Sequence, residues 1–264
     1  MEEDIQFENI YIHYKDCGKG IPVVLLHGYL ESGEIWNTFT NELKKFFRVI
    51  CIDIPGHGKS GVMGEIHTME KMAEAVKQVL DNLKIKECIL IGHSMGGYIT
   101  LAFLELFPQY LKAFSLFHSS PFADNDEKKQ NRDREIDLIK KGKKEVVYTV
   151  NIPRMFADDN IFRYEKEIKE ALKIAKNIPD DGIVALLNGM KERKDRLQLI
   201  QDTKIPFLLV LGKKDNYISY DLISEKLGIP RCVTKLVLEN SGHIGFIEEK
   251  EKSYLGIRRF IESL

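Results

Sequence analysis

Short apolar runs recur along the chain at residues 21–26, 49–52, 88–91, 113–117, 207–211 and 235–238. They show no alternation of apolar and polar positions and are bounded by Gly, Pro or Asp, the pattern of strands covered on both faces. Ahead of them, residues 6–12 and Tyr14 read as an antiparallel hairpin or edge pair. Helical periodicity fills the gaps. Over residues 69–83, Met72, Val76, Val79, Leu80 and Leu83 recur at helical spacing, while Glu70, Lys71, Glu74, Lys77 and Asp81 fall on the opposite face. Residues 95–107 are apolar nearly all round, as in a buried helix, and Pro108 marks its end. Strand alternating with helix predicts an α/β fold with a doubly wound, mostly parallel sheet.

The alternation stops between residues 121 and 203. This stretch is rich in Lys, Arg, Asp and Glu, is punctuated by Pro121, Pro153 and Pro179, and has helical periodicity at 135–140, 164–176 and 183–190. The expected organisation is a core of residues 1–120 and 204–264. A helical insertion, 121–203, leaves the sheet after the sixth strand. The chain of 264 residues is long enough for one such domain.

Charge and cysteine usage narrow the function classes. With 39 basic and 40 acidic residues the formal net charge is −1, which implies neither nucleic acid nor an anionic membrane surface as partner. No apolar run approaches the roughly 18–20 residues needed to span a bilayer. The opening Met1-Glu2-Glu3-Asp4 lacks the basic and apolar regions of a signal peptide. Cys17, Cys51, Cys88 and Cys232 are scattered without metal-ligand spacing, and Cys51 and Cys88 lie in apolar runs. A reduced, cytoplasmic protein with no metal is expected.

The candidate chemistry begins at Gly92-His93-Ser94-Met95-Gly96-Gly97, directly after the run Cys88-Ile89-Leu90-Ile91. This is G-x-S-x-G where a buried strand should turn into a helix, a turn that lifts a serine hydroxyl above the sheet edge. A serine needs a base beside it to act as nucleophile. His243, in Ser241-Gly242-His243 after the last run, is the candidate base. Asp215, just beyond the strand 207–211, is the candidate for orienting it. The order Ser…Asp…His and the placement of each residue at a strand's carboxyl end argue for a triad. For the oxyanion, Met95 N–H is one expected donor and Tyr29 N–H the other, with Gly28 letting the loop His27-Gly28-Tyr29-Leu30 turn toward the serine. Asp53 and Ser60 are expected to fix the loop 53–60. Of the remaining histidines, His27 and His93 should hydrogen-bond structurally beside the site, His118 should line the pocket floor, and His13, His57 and His67 should be surface or loop residues.

Taken together, His27-Gly28-Tyr29, Asp53-Ile54-Pro55-Gly56-His57-Gly58-Lys59-Ser60, the Gly92–Gly97 run, Leu211-Gly212-Lys213-Lys214-Asp215 and Gly242-His243 resemble the α/β-hydrolase superfamily over nearly the whole chain outside the insertion. The resemblance implies an eight-stranded sheet with helices on both faces, a helical cap over the active site, and no metal or organic cofactor. The serine separates this chain from haloalkane dehalogenases and epoxide hydrolases, which place Asp there. A single His-Gly-x sets it apart from the hormone-sensitive-lipase type. Compact esterases, pimeloyl-carrier-protein esterase-like enzymes, enol-lactonases, carbon–carbon bond hydrolases and serine haloperoxidase-like relatives remain. Residues 213–218 lack the proline that often follows the acid in this family, and Tyr217 is expected to pack near the triad.

The expected function is that of a serine hydrolase cleaving small or medium carboxylic esters through an acyl-enzyme. One alternative uses the same triad on a diketo acid or enol-lactone, with Arg132, Arg154 or Arg163 reaching a substrate carboxylate. Another is a non-catalytic binding protein of this fold. Phe122, Met155, Phe156, Leu186 and Leu187 fit two readings: an apolar acyl pocket formed with Tyr29, Leu30, Met95 and Ile244 as substrate contacts, or the insertion's own core. The basic run through Lys128, Lys129, Arg132, Arg134 and residues 140–144 is interleaved with Glu127, Asp133 and Glu135. That mixture favours a solvated face over a docking site for an acidic carrier protein.

Overall fold

The computed structural model describes residues 2–228, Pro230 and 232–264. Strands β1 (Glu2–Phe7) and β2 (Ile10–Cys17) form an antiparallel hairpin in which Phe7 faces Ile10. Its turn carries Glu8 at a positive φ of 51°. The expected antiparallel hairpin is therefore present, with its turn inside the segment 6–12. The chain continues through β3 (Pro22–Leu26), α1 (Asn37–Leu43), β4 (Arg48–Ile52), α2 (Met69–Asn82), β5 (Cys88–His93), α3 (Met95–Leu106) and β6 (Leu111–Phe117). Five helices follow without an intervening strand among the described residues: α4 (Asp126–Lys140), α5 (Lys144–Arg154), α6 (Glu165–Asn177), α7 (Asp180–Glu192) and α8 (Leu197–Asp202). The sheet resumes with β7 (Phe207–Gly212), α9 (Tyr220–Lys226), β8 (Val233–Leu238), α10 (Gly245–Glu248) and α11 (Lys250–Glu262).

The eight strands run in the order β1-β2-β4-β3-β5-β6-β7-β8. From β4 to β8 all neighbours are parallel, and β2 joins β4 antiparallel, so the hairpin closes one edge. β5 and β7 are buried at every position because helices cover both sheet faces. This burial is what produced their unbroken apolar sequence. α2 is capped by the Thr68 hydroxyl, which accepts from Lys71 N–H, and buries Met72, Val76, Val79 and Leu80. Residues 95–104 of α3 are all buried.

The segment between β6 and β7 is fastened to the helices that cover the sheet and to itself. The Arg196 guanidinium bonds Glu70 on α2 at 2.7 Å and Glu105 on α3 at 2.8 Å. The Glu248 carboxylate accepts from Ala157 N–H and from Asn160 Nδ2, each at 2.8 Å. Asp124 holds both Arg132 and Arg193. Two of these helices are poorly marked in sequence. α4 begins nine residues before the periodic stretch 135–140, buries only Ile136 and Ile139, and is started by the Asn125 side chain accepting from Lys128 N–H. α5 carries Pro153 in its last turn, where the residue ends a helix rather than preventing one. Among the described residues no helix is long and apolar enough to cross a membrane.

Candidate active site

Ser94 lies between the last residue of β5 and the first of α3, with φ 50° and ψ −114°. That backbone is disfavoured for a residue with a side chain and persists only where surrounding packing over-determines it. The packing is visible in two glycines. A Cβ on Gly92 would meet Gly96 O at 2.2 Å, and one on Gly96 would meet Leu26 O at 2.6 Å and His27 O at 2.8 Å. Strand β5, helix α3 and the end of β3 can therefore close on one another only with both glycines present. The Ser94 carbonyl is pinned by the Ser119 hydroxyl, which donates to it at 2.7 Å. Its own side chain is half-buried and faces a cleft of about 500 Å³ that His243 also lines.

His243 Nδ1 stands 2.8 Å from Asp215 Oδ2 and 3.0 Å from Oδ1. Asp215 Oδ1 accepts Tyr217 N–H at 2.8 Å and Ile218 N–H at 2.9 Å, so the carboxylate is fixed by its own turn. Burial opposes the Asp215 charge, but His243 and His118 overcome it and hold this carboxyl far below the usual range. An ionised acceptor on Nδ1 puts the imidazole proton there and leaves the Nε2 lone pair for another partner. The His243 amide donates to Met155 O at 2.7 Å, which ties the base to the segment after α5.

His118 differs from expectation. It is fully buried, does not line the cleft, and adopts φ 48° directly beneath the acid. Its Nε2 accepts Gly245 N–H at 3.2 Å, and its Nδ1 lies 3.2 Å from Asp215 Oδ2, with Gly212 N–H also approaching Nδ1 at 3.2 Å. The tautomer protonated at Nδ1 satisfies both the Gly245 and Asp215 contacts. Burial pushes its pKa down to about 4 despite the neighbouring carboxylate, so the ring is neutral near pH 7. His118, Asp215 and His243 place one ligand atom each within 4.8 Å of one another. A divalent ion could use those atoms, but their mutual hydrogen bonds already account for the cluster.

The Tyr29 and Met95 amides donate to no acceptor among the described residues. Gly28 N–H, beside the first of them, donates to Glu31 Oε2 at 2.5 Å. The same oxygen lies 2.9 Å from His93 Nδ1, and His93 Nε2 donates to the His243 carbonyl at 2.8 Å. Burial opposes charge on both members, yet each favours the charged form of the other: Glu31 is lowered and His93 raised. This buried pair connects the Gly28 loop, the serine strand and the base. Glu31 carried no sequence signal, because its partner is 62 residues away. His27 is structural as expected: Nε2 accepts Ile54 N–H at 3.0 Å and Nδ1 donates to Gly28 O at 2.8 Å.

Of the expected substrate contacts, Tyr29 and Met155 line the cleft. Leu30, Phe156, Leu186, Leu187 and Ile244 are fully buried in the core instead, as is Met95, whose amide rather than side chain is the feature of interest. Phe122 packs half-buried against the core with Lys226 Nζ 5.9 Å from its ring centre. The cleft is instead lined by Tyr98, Val150, Met155, Met190 and Ile218 together with one hydrogen-bonded polar wall. Tyr29 Oη donates to Glu135 Oε2 at 2.9 Å, Asn151 Nδ2 donates to Glu135 Oε1 at 2.9 Å, and Tyr217 Oη donates to Asn151 Oδ1 at 2.9 Å. The Tyr217 ring lies 5.1 Å from that of His243. Arg132 and Arg154 line this cleft, whereas Arg163 stacks on Tyr164 outside it.

Asp53 and Ser60 do fix their loop: Asp53 accepts Gly33 N–H at 2.7 Å and Lys59 N–H at 2.8 Å, and the Ser60 hydroxyl donates to Asp53 O at 2.6 Å. His57 and His67 lie in loops, as one of the two expected placements has it, but both are buried. His67 accepts Met63 N–H and donates to Pro55 O, both at 3.1 Å. Among the described residues neither ring nitrogen of His57 has a partner, and burial drives its pKa well down, leaving the ring neutral. His13 is half-buried against Asp4.

A family model described as alpha/beta hydrolase fold matches residues 21–135. The AB hydrolase superfamily protein YisY of Bacillus subtilis is 29% identical, over 97% of both chains. A thermophilic esterase from Thermogutta terrifontis, solved with malate bound, is 26% identical and superposes with a TM-score of 0.94 over 100% of this chain and 98% of its own. This chain belongs to the α/β-hydrolase superfamily. The α/β hydrolase is thus an enzyme of the hydrolase class. A further relative, the pimeloyl-[acyl-carrier protein] methyl ester esterase of Vibrio campbellii, is 24% identical over 94% of this chain and 98% of its own.

The glycine packing of this α/β hydrolase gives a test. Gly96→Ala drives a methyl group into the carbonyls at the end of β3 and should separate the Tyr29 and Met95 amides. On the expectation that these amides receive an oxyanion, where loss of one donor lowers kcat by about 10²–10³, a fall of that size with little change in KM should follow. A kcat within twofold of wild type would mean that this contact does not set the spacing of the amides.

Proposed function

We propose that this α/β hydrolase cleaves small or medium carboxylic esters through an acyl-enzyme formed on Ser94. The observation that carries the reading is the pair Asp215–His243, closed at 2.8 Å, opening on the same cleft as a serine held at positive φ. Ser94 Oγ attacks the ester carbonyl while His243 Nε2 takes its proton. The tetrahedral oxyanion is received by the Tyr29 and Met95 amides, both unengaged among the described residues. When the carbon–oxygen bond of the ester breaks, the imidazolium returns that proton to the departing alkoxide. Water then attacks the acyl-enzyme, giving a proton to His243, and Ser94 leaves as its hydroxyl is restored. Asp215 keeps its charge throughout and stabilises the imidazolium.

In this reading residues 121–203 act as a cap. Its helices α4 and α5 supply Arg132, Glu135, Asn151 and Arg154 to the wall above Ser94. The polar wall sets the orientation of the ester, and the cleft of about 500 Å³ limits its size. The test is covalent. A fluorophosphonate should add one adduct, located at Ser94 by peptide mass spectrometry, and an excess of a short ester should slow its formation. Absence of an adduct at Ser94 under conditions where the protein hydrolyses esters would overturn the assignment.

A further inference from the structure

Resting on the serine-esterase reading, we infer that the site selects esters bearing a carboxylate, and that Arg154 is the residue that recognises it. Six acidic or basic side chains besides His243 line the cleft: Lys128, Arg132, Arg134 and Arg154 against Glu127 and Glu135. Three of them are already engaged. Arg132 is committed to Asp124, with Nε 2.5 Å from Oδ2. Glu135 is saturated by Tyr29 and Asn151. Arg134 bonds Asn131 at 3.0 Å. Arg154 is exposed, and among the described residues its guanidinium meets no carboxylate.

Its position is nevertheless fixed. Arg154 ends α5, its carbonyl accepts from Asn216 Nδ2 at 3.3 Å, and the next residue holds the His243 amide at 2.7 Å. The guanidinium carbon lies 5.6 Å from the centre of the Tyr217 ring, whose centre is 5.1 Å from that of His243. A flat aromatic platform thus spans the gap between the base and an unpaired guanidinium. An ester with its carbonyl over Ser94 can lay a few carbons across Tyr217 and present a carboxylate to the guanidinium fork, which suits that group bidentately. Next to the Tyr217 platform the carboxylate of Glu135 is already engaged by Tyr29 and Asn151, so an ammonium placed there would compete with those two hydrogen bonds. The alternative role for Arg154, complementing the C-terminal end of α5, makes no demand on substrate charge.

The carboxylate could sit on the acyl or the alcohol portion, and two matched pairs separate these. One pair is monomethyl glutarate and the neutral methyl ester in which isopropyl replaces the carboxylate. The other is O-butyrylglycolate and isobutyl butyrate. Wild-type enzyme should favour the charged member of at least one pair by about 10- to 100-fold in kcat/KM, as expected for a charge-assisted contact. That ratio should fall with added salt. Arg154→Met should abolish the ratio and Arg154→Lys should restore part of it. Equal hydrolysis of both members of both pairs, or a ratio that survives Arg154→Met, overturns the inference and leaves the esterase reading standing. Hydrolysis of none of the four esters overturns both.

Discussion

Ser94→Ala is expected to lower kcat for ester hydrolysis by roughly 10⁴–10⁶-fold, the range seen when a nucleophile is removed from an otherwise intact triad. The structural consequence should be small. Ser94 Oγ donates to and accepts from no described residue, and the backbone at the elbow is held by Phe117 O, Ser119 Oγ and the glycine contacts rather than by the hydroxyl. Alanine keeps a Cβ, so the strain at φ 50° is present in both proteins and cancels. The melting temperature should therefore shift by no more than a few degrees. Residual turnover would come from the two amides and the cleft, which still bind and polarise the ester without a covalent step. A variant retaining a hundredth of wild-type kcat would show that Ser94 is not the nucleophile.

The parallel strands and the placement of Ser94, Asp215 and His243 beyond their carboxyl ends were legible in the sequence for the same physical reason. Strands buried on both faces have to be continuously apolar, and the residues just beyond their carboxyl ends stand out as the first polar groups. The character of the cleft was not legible. Tyr29 and Glu135 are 106 residues apart, and nothing in either neighbourhood says that one hydroxyl will donate to the other carboxylate. Apolar residues of the insertion such as Phe156 and Leu187 fitted a substrate pocket and an insertion core equally well in sequence; the insertion must bury a core of its own and they serve that core. α4 was visible only at its carboxyl end, since a helix with two buried side chains has almost no apolar stripe. His57 followed the loop chemistry of its glycines, which says nothing about whether the ring turns inward. His118 could be placed after its strand, but its contact with Asp215 depends on β6 and β7 being neighbours.

Asp215→Asn should lower kcat/KM by about 10⁴ near neutral pH, through the tautomer of His243 rather than through the fold. The carboxylate accepts four contacts. Oδ1 receives Tyr217 and Ile218 N–H, and Oδ2 faces the Nδ1 atoms of His243 and His118. An asparagine amide has one acceptor and one donor atom. With its oxygen on the two backbone amides the turn is preserved, and its NH₂ then points at both histidine Nδ1 atoms. His243 can accept that hydrogen bond only by moving its own proton to Nε2, which presents N–H rather than a lone pair to Ser94. With the amide flipped, the NH₂ would oppose two backbone N–H groups, a worse arrangement by one donor–donor contact. The first orientation should therefore dominate, giving a folded protein with its base held in the wrong tautomer. Near-normal melting together with slow fluorophosphonate labelling of Ser94 is the expected signature. A fall of less than tenfold with the protein still folded would mean that Asp215 serves its turn alone and that another group orients the base.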